Sequence, residues 1–260
     1  MKILIIESNP PDLLARGFSD GQPYVDTFAA LGLDLDLTLV EPYRTPFDPE
    51  LLDGADGVIF SGSGVEWSTA DARAEPLARA MRACFETGVP VFGSCNGMQL
   101  AACVLGGYVD ASPNGREQGV AQGLTLTEAG RAHPLMYGRD NGFGALTIHR
   151  DEVTKLPAGA VVLARNAHCD VQAFAYDRDG VDFWGVEYHP EYSPEFLGAM
   201  LDDPRHEGAF ADMAADLRAA RDTAEAADRL GTTTEDMQTE ARATELTNWL
   251  AHVKARKDGS

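Results

Sequence analysis

Basic residues are scarce: 21 Lys and Arg stand against 41 Asp and Glu, a formal net charge of −20 over 260 residues. A surface of that sign repels phosphate backbones and anionic bilayers, which argues against nucleic-acid and membrane partners. Long apolar runs are missing too; no stretch approaches the length of a membrane span. The opening Met1-Lys-Ile-Leu-Ile-Ile6 is too short for a signal segment and runs straight into Glu7, so it reads as a buried strand. Only four cysteines occur, Cys84, Cys95, Cys103 and Cys169, with no C-x-x-C pair and no framework spacing. That excludes a disulfide scaffold and suits reduced thiols in the cytoplasm. No P-loop is present, so the chain supplies no ATP chemistry, and no cofactor or metal is called for. Internal repeats and low-complexity linkers are absent as well.

What is present is the composition of an ordinary globular protein, 44% hydrophobic and 24% charged. The segment around which the rest is organised is Val89-Pro-Val-Phe-Gly-Ser-Cys-Asn-Gly-Met-Gln-Leu-Ala-Ala-Cys103. A short apolar run at 89–92 predicts a buried strand, and 98–105 is helix-prone. Between them lies Gly93-Ser-Cys-Asn-Gly97, a strand–turn–helix elbow with a nucleophile at its apex and a glycine two positions to either side. A turn that tight strains its central residue, and neighbours without Cβ leave room for it. Cys95 would then cap a helix, whose free N–H groups and dipole favour its thiolate. Lone cysteines are commonly core residues, and the G-x-C-x-G setting is what separates Cys95 from that reading. Cys84, on one helical face with Leu77, Met81 and Phe85, and Cys103, within the following helix, read as core.

The first half alternates strands with helices. Strands are expected at 2–7, 33–39, 57–60 and 89–92, with helical material at 12–17, 23–31 and 76–87. Pro23 suits a first helical turn, and Gly32 and Gly88 suit helix C-termini. Strict alternation over 33–39 predicts a strand with one wet face, near a sheet edge. The rhythm predicts an α/β fold: a mostly parallel sheet with helices on both faces and ligands at the carboxyl ends of its strands. From Gly106 to Ile148 the chain is Gly- and Thr-rich, consistent with smaller antiparallel strands. Strands are expected again at 161–165, 172–176 and 183–188. After Ser193 the chain turns helical and acidic. Phe210, Met213 and Leu217 share a face, Gly231-Thr-Thr-Thr234 interrupts, and a last helix from Glu235 to about Lys254 shows Leu246, Trp249, Leu250 and Val253. Residues 1–193 are therefore read as one unit and 194–260 as a helical C-terminal extension.

A cysteine nucleophile needs a base. Of six histidines, His189 is delivered by strand 183–188 to its end, the same sheet edge as Cys95 in a parallel arrangement. Glu191, two positions on in extended backbone, faces the same way as His189 and can orient its ring, while Pro190 stiffens the pair. His149 and His168 also read as satisfied structural histidines.

Gly93-Ser-Cys-Asn-Gly-Met-Gln99 together with Glu187-Tyr-His-Pro-Glu191 resembles the class I (triad) glutamine amidotransferases, over most of 2–192 and nearest the free-standing, GMP-synthase-like branch. Phe60-Ser-Gly-Ser63 is similar to the family's oxyanion loop, and His149-Arg-Asp-Glu-Val-Thr-Lys-Leu-Pro157 to an H-x-D…L-P segment of that branch. The resemblance implies a flavodoxin-like sheet and a Cys95–His189–Glu191 triad. Glutamine would be hydrolysed through a γ-glutamyl thioester to glutamate and ammonia. It also implies an oxyanion site built from the N–H of Asn96 and that of Gly62 or Ser63, with Gln99 and the backbone at His149 and Arg150 gripping the substrate. The chain departs from the pattern at Asn96, where many members carry a larger side chain, and in a Ser-Gly-Ser-Gly loop where Gly-Gly-Pro is common.

Two rival readings stand beside this one. A γ-glutamyl hydrolase or peptidase of the same fold would use a similar Cys and His on a larger γ-glutamyl amide. A binding or regulatory module would keep the fold without turnover, against which the intact Cys95, His189 and Glu191 speak. Ammonia release would call for an ammonia-accepting synthetase or amidase as partner, and the apolar faces of the last helices fit self-packing, such a partner, or a second copy in a homodimer.

Overall fold

The computed structural model describes residues 1–203 and 206–259. In chain order, β1 (Lys2–Ile6) is followed by α1 (Pro11–Leu14), α2 (Gln22–Ala30), β2 (Asp36–Val40), β3 (Gly57–Phe60), α3 (Glu75–Thr87), β4 (Val91–Ser94) and α4 (Asn96–Val104). The second half adds β5 (Tyr108–Ala111), β6 (Glu117–Leu126), α5 (Glu128–Ala132), β7 (Phe143–His149), β8 (Asp151–Lys155), β9 (Val161–Arg165), β10 (Ala173–Arg178) and β11 (Val181–Val186). Among the described residues five further α-helices follow: α6 (Pro194–Leu201), α7 (Ala211–Ala219), α8 (Ala224–Leu230), α9 (Thr239–Arg242) and α10 (Thr244–Asp258).

Nine strands form one sheet in the order β2-β1-β3-β4-β11-β10-β9-β6-β7, and β5 pairs separately with β8. The half from β2 to β11 is parallel throughout, as the βα rhythm predicts. The strands from β11 onward run antiparallel. β2 lies at the edge, matching its alternating pattern. Side chains alternate across the parallel half with the two-residue period of a strand. Ile3, Ile5, Ile59, Phe92 and Trp184 face α2 and α10, whereas Leu4, Ile6, Val58, Phe60, Val91 and Phe183 face α3 and α4. Helices thus cover both faces. A third cluster joins the outer strands β6 and β7 to α6, α7 and α8 through Val120, Leu146, Leu197, Leu217 and Leu230.

The C-terminal helices pack back on the same chain. Leu246, Trp249, Leu250 and Val253 of α10 are buried in the core cluster that holds Ile3, Ile59 and Phe92. The sequence expectation of one helix from Glu235 is corrected: residues 235–238 lie outside the helices, and α9 and α10 are separate. The cause is local. Asp236 Oδ2 accepts from the hydroxyls of Thr232 (3.0 Å) and Thr233 (2.9 Å), and the Asp236 N–H donates back to Thr233 Oγ1 (3.1 Å). Such side-chain bonds compete with helix propagation. Phe210 and Met213 are half-buried, with Leu217 fully inside. Among the described residues no helix is long and apolar enough to cross a membrane.

Candidate active site

The parallel register Val186↔Ser94 brings the ends of β11 and β4 side by side, and the Cys95 N–H donates to Val186 O at 2.8 Å. Cys95 therefore leaves the sheet next to the segment that carries His189. As the elbow pattern predicts, Cys95 occupies a left-handed conformation (φ +45°) immediately before α4, a strained geometry for a non-glycine residue. Both elbow glycines are there for space. A Cβ on Gly93 would fall 2.6 Å from the Gly97 carbonyl carbon, and one on Gly97 would fall 2.3 Å from Phe60 O.

His189 Nδ1 lies 2.7 Å from Glu191 Oε1. Ser94 Oγ donates to that same oxygen at 2.9 Å and contacts Tyr24 OH at 2.6 Å. With Oε1 already accepting from Ser94, the arrangement selects the tautomer in which Nδ1–H donates. Nε2 is then the basic nitrogen, and among the described residues it has no hydrogen-bond partner. The imidazole is stacked on Tyr192, whose hydroxyl donates to Asp20. Asp20 also accepts from Asn9 Nδ2 at 2.6 Å. The loop carrying Asp20 is anchored by Glu7, whose carboxylate accepts from the N–H groups of Asn9 (3.0 Å) and Gly21 (2.9 Å). Asp20, Tyr192, Ser94 and Tyr24 escaped the sequence reading. Ser94, at the carboxyl end of β4, and Tyr192, three residues after His189, carry a positional signal in the sequence; Asp20 and Tyr24, in the loop before α2 and within it, carry none.

The thiol differs from expectation in one respect. A helix N-terminus favours a thiolate, and the Asn96 N–H does act in that direction. Burial, reinforced by the negative charges of Glu187, Asp20 and Glu191, outweighs it and pushes the Cys95 thiol up. That direction favours the neutral thiol, whose Sγ lies 3.8 Å from Ile148 O. Deprotonation is left to a base.

Cys95 and His189 line one cavity of about 380 Å³, with Ser63, Asn96, Gln99, His149 and Arg150 also on its walls. Gly62 lies behind His189: a Cβ there would be 2.6 Å from His189 Cε1. Ser63 Oγ donates toward Asn9 Oδ1 (2.9 Å), which shapes the loop beside the elbow. Gln99 reaches the cavity wall, but its amide nitrogen is engaged by Asp151 O (2.8 Å) and Glu187 Oε1 (2.7 Å). His149 is held on both ring nitrogens, by Asp151 O at 3.0 Å and Glu117 Oε2 at 2.9 Å, the satisfied arrangement its structural reading describes. Arg150 is clamped on Asp151 (2.8 and 3.0 Å) and on Glu66 O. His168 contacts Gly115 O at 3.2 Å, away from the cavity wall. Glu187 points to Gln99 rather than to His189. Burial raises its carboxyl to about 8. Burial opposes the His149 imidazolium, but Glu187 and the Glu117 hydrogen bond outweigh it and lift His149 to about 9. Among the described residues no group of His, Cys, Asp or Glu is arranged to hold a metal ion.

A buried cysteine at a strained elbow, a histidine whose Nε2 has no partner among the described residues and a carboxylate behind it thus meet at the carboxyl ends of the strands of an α/β sheet. The chain belongs to the class-I glutamine amidotransferase family, whose model matches residues 24–202. It is 40% identical over 146 residues to a γ-glutamyl-L-1-hydroxyisopropylamide hydrolase of Pseudomonas, a match covering 55% of this chain and 49% of that one. It is 35% identical over 210 residues to a glutamine-hydrolysing GMP synthase of Bordetella parapertussis, covering 77% of this chain and 36% of the relative. The matched part thus spans about half of the first relative and about a third of the second. A solved glutamine amidotransferase of Thermotoga maritima superposes with a TM-score of 0.68 at 16% identity, over 97% of each chain, a likeness of fold.

Proposed function

We propose that the protein hydrolyses the γ-amide of glutamine or of a close γ-glutamyl amide through a thioester on Cys95. The observation that carries this is the strained Cys95 sharing one cavity with His189, whose other nitrogen is bonded to Glu191. His189 Nε2 takes the thiol proton, offsetting the burial that disfavours a lone thiolate. Cys95 Sγ attacks the γ-carbonyl carbon. The oxyanion is met by the N–H of Asn96 and by Gly62 or Ser63 of the loop after β3. The C–N bond breaks as His189 returns the proton to the departing nitrogen, and the γ-glutamyl thioester remains. Water, activated by His189, then cleaves the thioester to glutamate and restores the thiol. Glu191 holds the ring and balances its charge. Gln99 and the backbone at His149 and Arg150 form the wall for the substrate's glutamyl end.

With glutamine as substrate the product is ammonia, and an ammonia-consuming synthetase is the partner this reading calls for. A second reading, in which the leaving group is an alkylamine, is favoured by the cavity itself. Its volume of about 380 Å³ lies in the range that takes ligands larger than one amino acid. Leu13, Phe18, Trp67, Phe196 and Met200 give it an apolar flank, and the Pseudomonas relative is named for an N-substituted γ-glutamyl amide. Incubation with glutamine and with γ-glutamyl isopropylamide, assaying ammonia and amine, separates the two. Release from either that disappears in Cys95→Ala supports the hydrolase; release from neither leaves a binding module of the same fold.

A further inference from the structure

We infer that Arg242 and Glu245, supplied by the C-terminal helices, are positioning residues that hold the segment carrying His189 and Glu191. This rests on the hydrolase reading above and extends it to a region the family model does not cover, since that match ends at residue 202.

Four consecutive residues, 188 to 191, are each held by a different group. Tyr188 OH donates to Glu245 Oε1 at 2.7 Å. The His189 N–H donates to Leu146 O at 2.7 Å. Arg242 Nη1 donates to Pro190 O at 3.0 Å and lies 3.5 Å from Thr27 Oγ1. Thr27 Oγ1 in turn donates to Glu191 O at 2.8 Å. Glu245 is fixed by a bidentate pair from Arg139, Nε and Nη2 each at 2.8 Å, and Arg139 Nη2 also reaches Arg242 O at 3.3 Å. Two of the four anchors therefore come from α9 and α10.

Folding alone does not account for these charges. A guanidinium taken out of water loses hydration that its partners only partly restore, and an apolar side chain of similar volume serves stability as well or better. Arg242 is buried, its Nε has no partner among the described residues, and burial lowers its pKa to about 10. The charges facing it are Glu191, Arg221, Glu195 and Glu240, with Glu191 the strongest. What Arg242 supplies is a fixed Pro190 carbonyl and a positive charge behind the carboxylate that orients His189. Displacement of about 1 Å at such a site is enough to cost about a hundredfold in rate.

The test uses the full chain with Arg242→Met, which fills the space without charge, Arg242→Lys, which restores charge, and Thr27→Val. Turnover is measured with whichever of glutamine and γ-glutamyl isopropylamide the parent protein hydrolyses. In parallel, alkylation of Cys95 by iodoacetamide is followed against pH, a reading that needs no substrate. The ionisable groups facing Cys95 and His189 (Glu187, Asp20, Glu191 and the stacked Tyr192) are unchanged throughout. The expected result for folded Arg242→Met is a kcat lower by about ten- to a hundredfold with KM unchanged. Its alkylation midpoint moves to higher pH, and Arg242→Lys recovers most of both. A folded Arg242→Met with parental kcat and alkylation profile overturns the inference, as does an effect confined to KM or to melting temperature. Should Arg242→Met not fold, Thr27→Val decides on the same criteria. A parent that turns over neither substrate fails the hydrolase reading, while the alkylation comparison still judges the clamp.

Discussion

The ring of Tyr192 lies flat on that of His189, centroids 3.9 Å apart with 4° between planes. Tyr192 is itself tied to Asp20, so the imidazole is sandwiched between an oriented carboxylate at its edge and an anchored aromatic face. Ring contacts of this kind are worth about 0.5–1.5 kcal/mol beyond burial. Tyr192→Leu should therefore lower kcat by about two- to tenfold, at roughly 1.4 kcal/mol per decade. Tyr192→Phe, which keeps the ring and loses only the Asp20 bond, should fall between it and the parent. Equal rates in all three would mean that the stack is only packing.

Four thiols are present and each is disfavoured as a thiolate, yet one is set apart. Burial pushes Cys84 up to about 12, and it raises Cys169 and Cys103 as well. Cys95 is raised as well but lines the same cavity as His189, whose Nε2 has no hydrogen-bond partner among the described residues. Under the proposed mechanism a glutamine-like electrophile should label Cys95 alone, and Cys95→Ala should lose labelling together with turnover, by several orders of magnitude, as is general where nucleophile, base and carboxylate act as a unit. His189→Ala should impair both labelling and turnover. Glu191→Gln should slow turnover and still permit labelling. A second labelled cysteine in Cys95→Ala would sink the assignment.

The parallel half of the fold was legible because its signals are local: short apolar runs at 3–6, 58–60 and 89–92, and one strict alternation that marked the edge strand. Cys95, His189 and Glu191 were legible because strand ends deliver them in a short register, Val186 beside Ser94. The network around them was not. Asp20 and Tyr192 are 172 positions apart, and Arg242 and Pro190 are 52 apart, so no periodicity could pair them. The helix expected from Glu235 failed for the opposite reason, a side-chain cap at Asp236 too local to disturb an apolar pattern.

The buried cluster of Glu187 and His149 should give the protein an unusual stability profile. Both groups bind protons more tightly in the folded chain, Glu187 at about 8 and His149 at about 9. Unfolding releases those protons, so the stabilisation is complete at low pH and is lost as pH rises through the folded values. For Glu187 the loss runs from its ordinary value of 4.5 to about 8, and for His149 from 6.5 to about 9. The melting temperature should thus decline most steeply between pH 6.5 and 8, where the two windows overlap. Glu187→Gln, which keeps an acceptor for Gln99 but cannot ionise, should flatten that decline. A melting temperature rising across this interval in the parent would contradict both assignments.

The last helix carries the clearest stability prediction. Trp249 is fully buried, its ring centroid 5.9 Å from that of Phe92, and a Cβ on Gly57 would lie only 2.8 Å from its Cη2. The sheet has left a gap for this indole. Trp249→Ala should cost about 3–5 kcal/mol, the scale for emptying a large buried aromatic site. That is a large share of the 5–15 kcal/mol typical of a folded domain. Ending the chain before Thr232 removes Trp249 together with Leu246, Leu250 and Val253, and with them Arg242 and Glu245. The truncated chain should melt early or fail to fold, as read by urea titration. Its hydrodynamic size per folded molecule should not drop to that of a smaller oligomer. Retained stability with a reduced assembly size would instead make the α10 face an interface, and would contradict the intramolecular burial of Trp249.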